Sequence, residues 1–191
     1  MIFQLHITLE RSHDPVVWRR IQIDSGSDFN DLHGAIQASF GWQSSHLYLF
    51  IKPNAPKPGT RLIGLDEHWQ GDMDNLEEAS ELPLEAIFKA VQQQIQYVYD
   101  MGDNWEHIVL LEEMQPGMLE SPRCLAGEGA CPPEDCGGIP GYYELVEAVN
   151  TPTHPQHRSQ RKWLGLRAGD RWDVHAFDLA AAQRALDEAF E

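Results

Sequence analysis

YVYDMGDNWEH, residues 97–107, is the segment from which the fold class follows most directly. Aromatic and β-branched residues stand on both sides of Gly102, Asp103 and Asn104, a composition typical of a β-hairpin turn. Two strands joined by so short a turn run antiparallel. The sequence therefore predicts an antiparallel hairpin within a larger sheet.

The length of the turn determines what Asp100 faces across this hairpin. A three-residue loop, 102–104, would place Asp100 opposite Glu106, a like-charge pair that costs stability. A two-residue loop would place Asp100 opposite His107, which is a favourable pair. Electrostatics therefore favours the two-residue loop, unless a bound cation stabilises the Asp100–Glu106 pair of the three-residue loop. An Asp100–His107 pair would suit metal binding or proton transfer, or would form a structural hydrogen bond.

Segments upstream of the hairpin also show strand periodicity. Residues 2–10 and 17–24 alternate apolar and polar side chains, which predicts two strands with one buried and one wet face each. Residues 46–52 predict a third strand. Residues 115–140 are rich in proline and glycine and show little periodicity, so they are predicted to form a long loop.

Helical periodicity is clearest in residues 29–40, where apolar side chains recur every three to four positions. Three more helices are predicted near the C-terminus, at 141–149, 154–165 and 173–190, with Asp173 as the cap of the last. Hairpin-ordered strands followed by helices indicate an α+β class. We expect a mostly antiparallel, rolled sheet packed on a central helix, within a single domain over residues 1–191.

Composition restricts the classes of function. The chain has 14 Lys and Arg against 30 Asp and Glu, a net charge of −16, which argues against general affinity for nucleic acid or anionic membranes. No apolar run approaches the roughly 20 residues that cross a bilayer, and the N-terminus alternates instead of resembling a signal peptide. We expect a cytoplasmic protein with no membrane association, whose partner is another protein or a small molecule.

The charge is unevenly distributed along the chain. Residues 66–85 contain eight acids and no base, which predicts a solvated, mobile surface insertion. Five bases fall within a short segment near the C-terminus, at Arg158, Arg161, Lys162, Arg167 and Arg171. They indicate either a solvated basic helix face or a patch that contacts phosphate.

ACPPEDCGG, residues 130–138, contains features of a stiffened binding loop. Its two prolines restrict the backbone and its two glycines allow a sharp turn. The thiols of Cys124, Cys131 and Cys136 could converge on zinc or another divalent metal, with His107 as the fourth ligand. Their spacing lacks a Cys-x2-Cys pair, and small buried thiols are the alternative.

Carboxylates of the hairpin and the loop form a second candidate set. The candidate polar cluster, suited to binding a divalent ion that activates water, contains Asp100, Asp103, His107, Glu134 and Asp135. Such a cluster would indicate a metal-dependent hydrolase or nuclease. Alternatively, the two acids of the loop cap turn amides or the following helix. His33 and His46 are further candidates.

Several motifs together resemble the Ri-plasmid ORF-three-like family, whose members are often labelled passenger proteins of insertion elements. The matching segments are WRR (18–20), DLH (31–33), GW with HLYLF (41–50), residues 97–107 and CLAGEGACPPEDCGGIPGY (124–142). The resemblance implies an α+β roll and a shared site at the hairpin and the loop, without an established activity. The resolvase-type label of some relatives finds no support, since no serine-nucleophile or helix-turn-helix arrangement is recognisable.

These observations lead to one first hypothesis about function. We expect a cytoplasmic binding or accessory protein, associated with mobile genetic elements, with a metal or ligand site between the 97–107 hairpin and the 124–138 loop. The metal-dependent hydrolase is the alternative, and a nucleic-acid accessory protein acting through the basic segment is a third.

Overall fold

The computed structural model describes residues 1–52, 62–64 and 76–191. Its strands are β1 (Ile2–Leu9), β2 (Trp18–Asp24), β3 (Tyr48–Ile51), β4 (Leu62–Gly64), β5 (Leu76–Glu78), β6 (Gln94–Tyr99), β7 (Trp105–Gln115) and β8 (Arg123–Glu128). Its helices are α1 (Phe29–Phe40), α2 (Leu84–Ile87), α3 (Gly138–Asn150), α4 (His157–Trp163) and α5 (Leu179–Ala189). Half of the predicted acidic insertion, residues 66–75, lies outside the described residues.

Within the described ranges, the strands form one eight-stranded sheet in the order β5-β4-β3-β6-β7-β1-β2-β8. The β4–β5 pair is parallel, and every other neighbouring pair is antiparallel. The predicted hairpin, β6–β7, lies in the middle of the sheet. The expected α+β class with a mostly antiparallel sheet is confirmed.

Alternation along the strands produces a buried and a wetter face. On β1 every second side chain from Phe3 to Leu9 is buried, and those between are partly exposed. On β2 the buried positions include Arg19, Ile21 and Ile23. Burying an aliphatic or phenylalanine side chain contributes about 1.5 to 3 kcal/mol. The apolar side chains of this face therefore hold the sheet against the helices.

Helix α1 begins with a complete capping box and ends at a left-handed glycine. Asp28 accepts a hydrogen bond from the backbone N–H of Asp31, whose side chain in turn accepts one from the N–H of Asp28. Gly41 has a φ of 94°, which ends the helix. Both features stabilise the helix predicted at 29–40.

The sheet curves around α1. This helix contacts both β2 and β4, which stand five strand spacings apart in the sheet order. On a flat sheet that separation would be about 24 Å, more than twice the width of a helix. The sheet is therefore rolled, as expected, with α1 in its concavity and α5 packed against α1 and β8.

Two predictions about the C-terminal half were wrong. Residues 115–140 are not all loop, because β7 extends to Gln115 and β8 pairs with β2 across a register shift between Arg20 and Ile21. The last helix begins at Leu179 with Asp178 as its cap. Asp173 instead accepts a hydrogen bond from the backbone N–H of His175.

Buried Arg19 fixes the chain that leads from β8 to the 130–138 loop. Its guanidinium donates to the carbonyls of Ser39, Glu128 and Gly129 at 2.9 to 3.0 Å, and it lies against the rings of Phe40 and Phe177. The loop that follows is thereby attached to the end of α1.

None of the described helices is both long enough and apolar enough to span a membrane.

Candidate metal centre

Three loops at one end of the sheet bring a histidine and three carboxylates together. His46 lies between α1 and β3, Asp100 directly follows β6, and Glu134 and Asp135 precede α3. The backbone N–H of Asp100 donates to the carbonyl of Leu47 at 2.9 Å, which joins the hairpin to the His46 loop. We call His46, Asp100, Glu134 and Asp135 the His46 cluster.

The carboxylates of the His46 cluster converge on one imidazole nitrogen. Nε2 of His46 lies 3.2 Å from Oδ1 of Asp135, 3.7 Å from Oδ2 of Asp100 and 3.9 Å from Oε2 of Glu134. Within the part of the chain that the structure describes, His46, Asp100 and Asp135 are the group of three whose ligand atoms all lie within 4.8 Å of one another. The arrangement fits a bound cation.

Two polar atoms of the cluster are buried without a hydrogen-bond partner, namely Nε2 of His46 and Oε2 of Glu134. A buried polar atom left without a partner costs about 1 to 3 kcal/mol. Native proteins contain few such atoms, and a bound ion is one of the standard reasons for them. A cation held between them would supply the partner that these two atoms lack.

Neighbouring groups hold the carboxylates in place. Oε1 of Glu134 accepts hydrogen bonds from the hydroxyl of Tyr99 and the N–H of Gln43, both at 3.0 Å. Burial, together with the bond to Glu134, raises the pKa of Tyr99, so its hydroxyl remains a donor. Oδ1 of Asp100 accepts from the N–H of Gly102 at 2.8 Å, while Oδ2 faces His46. Glu134 and Asp100 thus each have one oxygen anchored and one directed at the cluster.

Two members of the His46 cluster, Glu134 and Asp135, line a cleft of about 640 Å³. Trp42, Pro132, Trp163 and Trp172 are among the residues that line it. The indole N–H of Trp42 donates to the carbonyl of Pro132 at 2.9 Å and so fixes one wall. Asp100 is only 9% exposed, whereas Asp135 is 71% exposed at the mouth. A ligand could reach the cluster from this side.

The structure brings together three of the five residues of the candidate polar cluster, Asp100, Glu134 and Asp135. Asp103 lies nearby and has a structural contact, since its Oδ2 accepts from the N–H of Gly137 at 2.9 Å. His107 is not in the cluster. It is fully buried among the rings of Phe40, Trp42 and Tyr97.

Both registers considered for the hairpin were wrong. Tyr97, not Asp100, faces His107, because Tyr99 pairs with Trp105 and the turn comprises residues 100–104. The carbonyl of Asp100 accepts from the N–H of Asn104, and both residues have positive φ values, 57° and 54°. The wider turn frees Asp100 from the sheet and directs it to His46.

The predicted thiol set is not assembled into a centre in this structure. Cys124 lies on β8 and is buried, while Cys131 and Cys136 are half-buried in the loop. These thiols and His107 do not bring three ligand atoms within 4.8 Å, among the residues described. Burial raises the pKa of all three cysteines, that of Cys136 to about 12, which favours the thiol over the metal-binding thiolate.

His46 is the residue that reasoning from sequence left outside the site. His46 lies 54 positions before Asp100, and Asp100 lies 35 positions before Asp135, so the three residues form no local sequence motif. Its proximity to Trp42 was the one local signal available. The contact that brings it in, from Asp100 N–H to the Leu47 carbonyl, is long-range.

Together the fold and the cluster define an α+β protein with a polar cleft where loops meet at one end of a rolled sheet. The chain belongs to the plasmid pRiA4b ORF-3-like family, whose model matches residues 1–181. This confirms the resemblance found in the motifs.

A relative and a solved structure agree with this assignment. The chain is 33% identical over 190 residues to "Uncharacterized protein y4hQ" of Sinorhizobium fredii, covering 98% of this chain and 91% of the relative. It is also similar to the crystal structure of "Protein of Unknown Function MM3350" from Methanosarcina mazei Go1. That match has a TM-score of 0.77 and 33% identity, over 94% of this chain and 96% of the other.

Proposed function

We propose that this protein binds one divalent metal ion in the His46 cluster, and that metal-dependent ligand binding in the adjacent cleft is its function. The supporting observation is the pair of buried, unpartnered atoms, Nε2 of His46 and Oε2 of Glu134, 3.9 Å apart. His46, Asp100 and Asp135 are the ligands, and Glu134 lies beside them. The proposal keeps the site between the hairpin and the 124–138 loop and replaces the thiols with carboxylates.

The separations between the ligand atoms suit such an ion. Zinc bonds of about 2.0 to 2.2 Å to nitrogen and oxygen place tetrahedral ligands roughly 3.3 Å from one another. The corresponding distances from Nε2 of His46 are 3.2 Å to Asp135 and 3.7 Å to Asp100. One imidazole with carboxylates is a donor set for zinc or manganese.

Calorimetric titration of Zn²⁺ and Mn²⁺ into tag-free, EDTA-stripped protein tests the proposal. We expect about one ion per chain and at least tenfold weaker binding by His46→Gln and by Asp100→Asn, because each removes a ligand. The matched control is His175→Gln, since His175 is an exposed histidine outside the cluster.

Two results would contradict the proposal. The first is binding that His46→Gln leaves unchanged. The second is loss of binding in a Cys131→Ala and Cys136→Ala double variant, which would restore the thiol hypothesis.

The free carboxylate oxygen of Glu134 supports metal-dependent hydrolysis as a second candidate function. A metal-bound water has a lowered pKa and becomes a nucleophile near neutral pH. Oε2 of Glu134 has no hydrogen-bond partner and lies at the cluster, where it could accept the proton of that water. Ion binding and water activation would then take place in the same cleft.

The variant Glu134→Gln separates the two candidate functions. Hydrolysis of a chromogenic phosphodiester by the metal-loaded protein, at least 100-fold slower in Glu134→Gln with metal affinity retained, would support catalysis. If the metal-loaded parent leaves the phosphodiester and a matching carboxylic ester intact, the binding function stands alone.

A further inference from the structure

A second cleft, of about 740 Å³, lies between the end of α3, helix α4 and the loop that follows α4. Val149, Pro152 and Leu166 supply apolar surface to it. The basic side chains that line it are His157, Arg158, Arg161, Lys162 and Arg171. Asp170 is the one acid among the lining residues. The cleft therefore concentrates positive charge in a chain whose net charge is −16.

Three of these cations have no partner of their own. Arg158, Lys162 and Arg171 are exposed, and none of them makes a side-chain hydrogen bond or ion pair with a residue of the described ranges. The carboxylate of Asp170 is engaged, since it accepts a hydrogen bond from the backbone N–H of Arg167 at 2.7 Å. The lining thus carries four arginine and lysine side chains against one carboxylate, an excess of positive charge.

The walls of this cleft are joined by half-buried and exposed hydrogen bonds. Arg161 donates to the carbonyl of Val149 at 3.2 Å, to that of Asp170 at 2.9 Å and to that of Arg167. The side-chain amide of Asn150 exchanges two hydrogen bonds with the backbone of Trp172, at 2.9 and 3.0 Å. The loop after α4 is thereby joined to the end of α3, so the cleft does not have to order itself when a ligand binds.

We propose that this cleft binds a small phosphate-bearing ligand. Two arginines and a lysine without partners match the charge and the several acceptor oxygens of a phosphate, and arginine can bind it with two parallel hydrogen bonds. The apolar wall at Val149 and Leu166 accepts an organic group attached to that phosphate.

A small ligand fits better than a nucleic acid. A nucleic-acid chain would extend beyond the cleft over a protein surface that is strongly acidic overall. Its phosphates would gain no favourable counterion release on that surface. The cleft does not include the His46 cluster, and the proposal does not depend on a bound metal.

Calorimetric titration with inorganic pyrophosphate, in the presence of EDTA, tests the assignment. We expect saturable binding to the parent protein and at least tenfold weaker binding to the triple variant Arg158→Gln, Lys162→Gln and Arg171→Gln. The control is the double variant Arg123→Gln and Arg184→Gln, which removes exposed arginines elsewhere on the surface. It should bind within about twofold of the parent if position, and not total charge, governs affinity.

Three outcomes would overturn the proposal. One is the absence of saturable pyrophosphate binding to the parent protein. Another is an equal loss in the control variant. The third is tighter binding of a single-stranded 12-mer oligonucleotide than of pyrophosphate, weakened by the triple variant, which would make the cleft a nucleic-acid site. Thermal unfolding of each variant monitors folding; because the side chains are unpartnered, only the small Tm decrease caused by the more negative net charge is expected.

Discussion

One imidazole nitrogen among three carboxyl groups defines the His46 cluster at the residue scale. The carboxylates would repel one another if they faced each other without a cation between them. Hydrogen bonds from Tyr99, Gln43 and Gly102 hold one oxygen of Glu134 or Asp100 and leave the second free. These two carboxylates are consequently held in place before an ion binds, which reduces the ordering cost of binding.

Two other histidines are buried away from this cluster. Burial lowers the pKa of both His33 and His107 from the ordinary 6.5 to about 3. His33 bonds to the hydroxyl of Tyr97 at 2.8 Å. Neither ring nitrogen of His107 has a hydrogen-bond partner in the described structure. Protonating either side chain in the folded protein is therefore unfavourable near neutral pH.

Stability should therefore depend on pH in a defined window. Between pH 6.5 and about 3 the unfolded chain binds protons at these histidines and the folded chain does not. The free energy of unfolding falls as pH falls through that window, by up to about 1.4 kcal/mol per pH unit for each histidine. Above about pH 7.5, where the unfolded histidines are also neutral, the two groups cause no further change.

His107→Phe tests this pH dependence. The apolar ring keeps the aromatic packing, so we expect stability within about 1.5 kcal/mol of the parent at pH 7.5. Between pH 6 and 4 the slope should be shallower by about 1.4 kcal/mol per pH unit. Urea unfolding in EDTA at several pH values measures both, with His175→Gln as control. An unchanged slope in His107→Phe would show that His107 is not buried as a neutral group.

At the element scale, the β6–β7 turn and the start of α3 meet backbone to backbone. The N–H of Gly137 donates to the side-chain Oδ2 of Asp103, and Gly138 has a φ of 67°. A Cβ on Gly138 would lie 2.5 Å from the carbonyl oxygen of Asp103. Backbone atoms cannot move aside as a flexible side chain does. The contact at Gly138 therefore sets the distance between the β6–β7 turn and the start of α3, which Glu134 and Asp135 precede.

Gly138→Ala and Gly41→Ala form a matched pair that tests this contact. Gly41 also has a positive φ, 94°, but a Cβ there meets nothing within 4 Å. We expect Gly41→Ala to cost about 1 to 2 kcal/mol through backbone strain alone, and Gly138→Ala about 3 kcal/mol or more. Chemical denaturation compares them. Equal costs would mean that the two elements are not in contact at Gly138.

Local signals in the sequence predicted most of the elements. Alternation identified β1 and β2, and helical spacing with a capping aspartate and Gly41 identified α1, because each of these signals lies within about a dozen residues. Strand β8 was not predicted, because its segment, RCLAGE, lacks both alternation and β-branched residues. It is defined by its pairing with β2. Its position depends on a partner a hundred residues away.

The site itself was predictable only in part. The acids of residues 97–107 and 130–138 were assigned to one cleft, and Asp100, Glu134 and Asp135 do lie together. The orientation of Asp100 was not predictable, because it depends on its positive φ and on a hydrogen bond to Leu47. The same long-range contact brings in His46.

On the scale of the whole molecule, charge is separated between two clefts. The His46 cluster concentrates carboxylates, and the cleft beside α4 concentrates bases. The α4 region lies between them, since Trp163 and Trp172 line the first cleft and Lys162 and Arg171 the second. A cation and an anion would thus bind on different sides of one short segment.

Salt should stabilise the protein, because a net charge of −16 creates repulsion that screening reduces. We expect the Tm of the EDTA-treated protein to rise by about 2 to 4 °C between about 0.01 and 0.3 M NaCl, equivalent to about 1 kcal/mol. Calorimetric unfolding measures the shift. A Tm that falls with salt would show that individual ion pairs, such as Arg20 with Glu112 at 2.6 Å, outweigh the overall repulsion.

Anomalous diffraction from crystals of the tag-free protein grown with Zn²⁺, recorded above and below the zinc edge, tests the central claim most directly. The account predicts one strong peak about 2.0 to 2.2 Å from Nε2 of His46 and from a carboxylate oxygen of both Asp100 and Asp135. A peak bonded to the sulfur atoms of Cys131 and Cys136, or no peak at His46, would contradict it.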